Sequence, residues 1–247
     1  MKEGILDFIS STVRESGAEG VVVGLSGGID SALVSRLCVD ALGPDKVYNV
    51  FMPSSTTPAG DRESTEAYSS SIGTAYRVVP IKDMVDAFGS VLGLEDSLSK
   101  GNVMARCRMI ILYHIARTEN LLVMGTGNRS ELLMGYFTKH GDGACDALPI
   151  GNLYKSQVRE LSRILSLPQS IIDRAPSADL WEGQSDEDEM GISYEQLDLI
   201  LQGMRGGSSL EELADISGLP LKRVIEIESR VEANRHKRHS PPMPEQQ

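Results

Sequence analysis

The stretch that most limits how this chain can fold is GVVVGLSGGIDSALVSRL, residues 20–37. A short apolar run without polar alternation suits a strand buried on both faces, as at the centre of a parallel sheet. The Ser-Gly-Gly turn breaks that strand. An apolar-periodic helix follows and is closed by Gly43, with Pro44 just behind it. The same rhythm continues along the first half. Further strands are expected at 46–53, 75–80 and 120–125, with helices at 3–15, 58–73, 81–92 and 102–119. Strands alternating with helices specify an α/β fold, a doubly wound parallel sheet flanked by helices. Such sheets bind ligands beyond the carboxyl ends of their strands.

After residue 125 the pattern changes to a long Gly-rich polar stretch, residues 125–155, of a length that is usually functional or disordered. From Lys155 onward the chain is helical again. Ser193 with Gln196, and Ser209 with Glu212, fit capping boxes, and Pro220 suits a helix start. A single domain over 1–240 is expected, followed by a Pro-rich tail at 241–247.

Against 24 Lys and Arg stand 35 Asp and Glu, a formal net charge of −11, which opposes nonspecific binding to nucleic acid or anionic lipid. Any anionic ligand must be held by a local cluster of donors. The three cysteines are scattered and read as core thiols in a reducing compartment. No leader and no membrane-spanning run is visible, so a cytoplasmic protein is expected.

Three chemistries compete for residues 24–31. A phosphate loop of the GxxxxGK[ST] type fails, because the lysine is missing. Gly24-Leu25-Ser26-Gly27-Gly28 matches the G-x-S-x-G nucleophile elbow of hydrolases, with Ser26 paired to His114, His140, His236 or His239. That reading leaves Gly27-Gly28, Asp30 and Ser31 unexplained. In the third reading the glycines let backbone amides approach an anion at a helix N-terminus, with Ser26 and Ser31 adding hydroxyl donors. Asp30 then belongs there only if a divalent cation bridges carboxylate and phosphate, as Mg²⁺ commonly does.

The S-G-G-x-D-S signature resembles the pyrophosphate loop of the N-type ATP pyrophosphatases, whose fold is Rossmann-like and which transfer AMP to an oxygen. Two longer stretches, LLVMGTGNRSELLMGYFTKHGDGACDALPIGNLYKSQVREL and PSADLWEGQSDEDEMGISYEQLD, together with RHKR near the end, resemble the ammonia-dependent NAD synthetases. The resemblance runs from about residue 20 to 238. It implies a ligase that converts deamido-NAD, ATP and ammonia to NAD, AMP and pyrophosphate through an adenylated nicotinate carboxylate. The alternatives are amidation of a different acceptor, a serine hydrolase using Ser26, and an ATP-binding module without turnover.

The resemblance implies roles residue by residue. ATP contacts fall on Gly24, Leu25, Ser26, Gly27, Gly28, Ile29, Asp30, Ser31, Thr126, Lys155 and Ser177. Many relatives carry threonine where this chain has Ser177, and the hydroxyl is kept. Asp30 and Glu131 would hold Mg²⁺, with Asp30 and Lys155 taking the catalytic roles. Deamido-NAD would meet Arg106, Lys139, Asp146, His236 and Lys237. A homodimer is implied, with the helix carrying Arg106 against the second subunit. The catalytic fold is expected to begin within about two dozen residues of Met1, which leaves no room ahead of it for a glutaminase domain. Free ammonia, or ammonia from a separate donor protein, is therefore the expected nitrogen source. The acidic run at 185–189 is expected to be solvated rather than to bind metal. Residues 175–191 are expected to form a lid, with Trp181 as an optical probe of its closure.

Overall fold

The computed structural model describes residues 1–177 and 185–244. Trp181 and the centre of the expected lid lie outside the described residues. Four strands, β1 (Gly20–Gly24), β2 (Val47–Phe51), β3 (Ala75–Val78) and β4 (Leu121–Met124), pair in parallel in the order β3-β2-β1-β4. The first half supplies helices α1 (Lys2–Ser16), α2 (Ile29–Leu42), α3 (Asp61–Ser71), α4 (Lys82–Leu92) and α5 (Ser97–Glu119). The second supplies α6 (Arg129–Met134), α7 (Lys155–Ile164), α8 (Gln169–Ile172), α9 (Asp186–Met190), α10 (Tyr194–Gly206), α11 (Leu210–Ser217) and α12 (Leu221–Ala233).

The apolar run of β1 explains its central place. Successive strand side chains point to opposite faces. Val21 and Val23 therefore join one core cluster with Ile9 of α1, Leu33 and Leu37 of α2 and Val158 of α7. Val22 points the other way, into a cluster with Ile111 and Ile115 of α5. All three valines are fully buried, each contributing about 1.5–3 kcal/mol relative to exposure. This is the doubly wound α/β sheet that the alternation specifies. A third cluster, built from Met134, Leu197, Ile200, Leu213, Val224 and Ile227, packs α10, α11 and α12 against α6.

Two elements differ from expectation. α5 starts at Ser97 rather than 102, because Asp96 caps it by accepting the Ser99 amide at 2.7 Å. Ser209 and Glu212 form the reciprocal box at α11, but at α10 only half forms. Ser193 Oγ accepts the Gln196 amide, while the Gln196 side chain donates to the Ser217 carbonyl at 3.2 Å.

The strand order reverses at β1, since β2 and β3 lie to one side and β4 to the other. At such a switch point the loops after the two adjacent strands diverge and leave a crevice. Here those loops follow Gly24 and Met124.

Candidate active site

The loop after β1 is braced by its own residues. Ser31 Oγ accepts the Ser26 amide at 3.1 Å and donates to the Gly28 carbonyl at 3.0 Å. Ser26 Oγ lies 3.1 Å from Ser31 Oγ and accepts the Gly28 amide at 3.3 Å. The Ser31 hydroxyl thus shapes the turn, and Ser31 also lines the adjoining cavity. Gly27 sits at φ +88°, where a side chain is strained. Gly28 is the N-cap of α2 and has no side chain to take up the first-turn amides. Those amides face a cavity of about 560 Å³ lined by Ser26, Gly28, Asp30, Thr126, Glu131, Lys155 and Ser177. No histidine lines it. The Ser26 hydroxyl is paired within its own loop, so the nucleophile-elbow reading finds no base.

Opposite the loop stands a wall of charge assembled from distant segments. Asn128 caps α6: its side chain accepts the Glu131 amide at 3.0 Å, and Glu131 accepts the Asn128 amide at 3.3 Å. The same Asn128 donates to Asp30 Oδ1 at 2.9 Å, which ties α6 to the glycine loop. Lys155 opens α7 with only 2% of its surface exposed. Its ammonium donates to Asp30 at 2.5 Å and to Glu131 at 3.3 Å, and it lies 5.0 Å from the Tyr194 ring centre. Burial works to lower the Lys155 pKa, but Asp30 and Glu131 outweigh it and hold the value above that of an ordinary lysine. Burial raises the Glu131 carboxyl well above the ordinary glutamate range, against the pull of Lys155 and with a further push from Asp30 and Asp186.

Asp186 corrects the expectation that the acidic run is solvated. Residues 186–190 form α9, and Asp186 is 5% exposed. The Tyr194 hydroxyl donates to it at 3.2 Å, and burial raises its pKa. Glu187 is half-buried and accepts the Tyr194 amide at 3.0 Å, whereas Asp188 and Glu189 are exposed, Glu189 accepting from the Tyr136 hydroxyl at 2.7 Å. Consecutive carboxylates on a helix point in different directions, so one run supplies a buried group and solvated ones together.

A second buried carboxylate, Asp198 of α10, fixes the wall from behind. It accepts the Ser130 hydroxyl at 2.5 Å and the Ser156 amide at 2.8 Å. Ser130 Oγ in turn accepts the Lys155 amide at 3.1 Å. One anion thus joins the neighbours of Glu131 and Lys155. Neither Asp198 nor Asn128 stood out in the sequence, although Asn three residues before Glu131 is a readable N-cap spacing. Asp198 has no such signal, since an acid on a helix face is usually solvated.

The expected dinucleotide residues divide between the cavity and its surroundings. Lys237 lines the cavity, and its amino group donates to the carbonyls of Gly135 at 2.7 Å and Phe137 at 3.0 Å. Arg106, Lys139, His236 and Asp146 do not line it. The first three form a relay: Arg106 donates to the Lys139 carbonyl and Lys139 to the His236 carbonyl, each at 3.2 Å. Asp146 accepts the Val123 amide at 2.7 Å and the Tyr113 hydroxyl at 3.3 Å.

The oxygen donors suit Mg²⁺. Asp30 and Glu131 converge on one ammonium, so a hard divalent cation could draw on both. Among the described residues no group of three or more His, Cys, Asp or Glu forms a ready metal cage.

Comparison with known proteins agrees over nearly the whole length. The chain is 44% identical over 243 residues to the NH₃-dependent NAD⁺ synthetase of Methanococcoides burtonii, covering 97% of this chain and 92% of that one. The NMN synthetase of Francisella tularensis superposes with a TM-score of 0.87 at 36% identity, covering 98% and 96% of the two chains. The NH₃-dependent NAD synthetase of Campylobacter jejuni superposes with a TM-score of 0.84 at 33% identity, covering 99% and 97%. With the family model for NAD synthase matching residues 1–241 as well, the chain belongs to the NAD synthase family.

Proposed function

We propose that this chain is an ammonia-dependent ligase that makes NAD from deamido-NAD, ATP and ammonia by way of an acyl adenylate. The observation that carries this reading is the Lys155 ammonium, buried between Asp30 and Glu131 in the cavity lined by the Ser-Gly-Gly loop. Oxide is too poor a leaving group for a carboxylate to react with ammonia directly. An oxygen of the nicotinate carboxylate attacks the α-phosphorus, the bond to the bridging oxygen breaks, and pyrophosphate departs. Ammonia then attacks the acyl carbon, AMP leaves with the former carboxylate oxygen, and a proton is released. Positioning and charge neutralisation supply most of the rate.

In this reading the amides of Gly27 and of the first turn of α2 cradle the departing diphosphate. Lys155 faces the developing charge on the phosphoryl oxygens. Asp30 and Glu131 would hold Mg²⁺, which would supply neutralisation of phosphate charge. Thr126 and Ser177 line the ATP side. Arg106, Lys139, Asp146, His236 and Lys237 serve the dinucleotide. A side cavity of about 50 Å³, lined in part by Thr126, Glu131 and Asp142, has the size for ammonia. No residue acts as a covalent nucleophile.

We read the protein as a cytoplasmic homodimer. Among the described residues no helix is long and apolar enough to cross a membrane. Exposed Phe88, Val91, Leu92, Leu98 and Ile110 on α4 and α5 offer the face that a second subunit would cover. The Francisella NMN synthetase favours a second reading, in which nicotinate mononucleotide is the acceptor.

One assay tests these readings. ATP, Mg²⁺ and ammonium are supplied with deamido-NAD or nicotinate mononucleotide, and amide product, AMP and pyrophosphate are followed. Equal release of all three with deamido-NAD is expected. Pyrophosphate release that ignores the acceptor would end the ligase reading. Preference for the mononucleotide would select the second reading, and equal turnover with glutamine alone would remove the ammonia requirement.

A further inference from the structure

We infer that Arg174 is a further phosphate-binding residue for the nucleotide, held over the Ser-Gly-Gly loop by Asp61. The inference rests on the reading of that loop as the diphosphate cradle. Asp61 opens α3 and is 7% exposed, and Arg174 follows α8. Arg174 Nη1 donates to Asp61 Oδ1 at 2.8 Å and Nη2 to Oδ2 at 2.9 Å. This two-pronged geometry fixes the plane and direction of a side chain that otherwise has many rotamers.

The guanidinium lies against the loop itself. A Cβ added to Gly27 would come within 2.9 Å of Arg174 Nη1 and 3.8 Å of Asp61 Cγ. Arg174 thus packs against the face of Gly27 from which a Cβ would project, and it lines the cavity together with Ser26 and Gly28.

Charge gives the arrangement its purpose. The loop's own donors, amides and the Ser26 hydroxyl, are neutral. Lys155 already stands between two carboxylates, and the chain as a whole carries −11. A triphosphate entering there needs a cation beside Gly27, and Arg174 provides one whose orientation is set before binding. A purely structural role is the rival account, in which the pair only latches the segment before Ser177 to α3. A latch needs opposite charges in either order, whereas a phosphate ligand needs the arginine at position 174.

The test measures direct binding of α,β-methylene ATP, pyrophosphate and AMP to wild type, Arg174→Gln, Arg174→Lys, Asp61→Asn and the swap Asp61→Arg/Arg174→Asp. Melting temperatures serve as the check on folding. Arg174→Gln should weaken the analogue and pyrophosphate about tenfold or more, the scale of one charge-assisted hydrogen bond, and leave AMP unchanged. Arg174→Lys should fall between, Asp61→Asn should lose less than Arg174→Gln, and the swap should stay as weak as Arg174→Gln. Wild-type analogue affinity in Arg174→Gln, equal loss of AMP and analogue, or recovery by the swap would each overturn the assignment. The ligase reading fails separately, if wild type releases no pyrophosphate in response to deamido-NAD. The binding comparison still decides the role of Arg174 in that event.

Discussion

The glycine loop and the charged wall face each other across one cavity but are made in opposite ways. The hydrogen bonds that shape the loop join residues two to five positions apart, and their donors and acceptors are neutral. The wall depends on bonds spanning 24 to 125 positions: Lys155 to Glu131, Ser156 to Asp198, Ser130 to Asp198, and Lys155 to Asp30. Its groups are buried and charged. A local neutral turn keeps its shape when packing loosens, because its partners travel with it. A buried charge assembled from four segments is costly as soon as one partner moves, because the remaining ions are left without water or counter-ion. The loop therefore sets where the nucleotide binds, and the wall makes catalysis depend on the complete fold.

The largest effect should come from Lys155→Met. Removing the ammonium leaves the Asp30 carboxylate without its buried cation. Turnover should drop by about 10³, and the metal-free protein should lose about 3 kcal/mol in chemical denaturation. Unchanged stability would mean that the wall is not held by its charges, and the contrast with the loop would collapse. Asp198→Asn should come next, because the Ser130 hydroxyl and the Ser156 amide reach different carboxylate oxygens, and the amide replaces one of those oxygens with a donor NH₂. About tenfold should be lost from kcat, with the ATP KM nearly unchanged, since the diphosphate cradle is built without Asp198. A loss confined to KM would place Asp198 with the loop instead.

The same division decides what could be read from the amino-acid order. The central strand, the glycine turn and the α/β alternation are local patterns, and β1, α2 and the parallel sheet appear where those patterns put them. The wall was visible only through family resemblance. Nothing near Lys155 in the chain says that it is buried, and a lysine opening a helix is ordinarily solvated. Asp186 was misread for the same reason. Its neighbours are acidic, so the run looks like a solvated surface, yet α9 turns one carboxylate inward toward Tyr194. Asp61 and Arg174 are 113 positions apart, and only the folded chain joins them.

Gly27→Ala probes the loop from its own side. The φ of +88° and the nearby Arg174 nitrogen oppose a Cβ. The expected cost is about 1–2 kcal/mol in stability, with ATP affinity lowered more than dinucleotide affinity. The effect on stability should be smaller than that of Lys155→Met, because no buried charge is stranded. Equal weakening of both substrates would show that the turn supports the whole cavity rather than one ligand.

A test by pH alone separates the two regions without changing a residue. Burial raises the Glu131 carboxyl in the folded chain well above the range of an unfolded glutamate, which titrates near 4.3. Between those values the folded state holds a proton that the unfolded state has released. Stability from this group is therefore present at low pH and declines as pH rises above the range of a free glutamate toward the raised folded value. Melting of nucleotide-free protein in chelator, followed from about pH 5 to 8, should show that decline. Glu131→Gln should flatten it, because the amide is neutral at every pH. Ser26→Ala should leave the slope intact, because the loop has no titrating side chain in its hydrogen bonds. A slope that survives Glu131→Gln, or one that Ser26→Ala removes, would place the titrating group outside the wall.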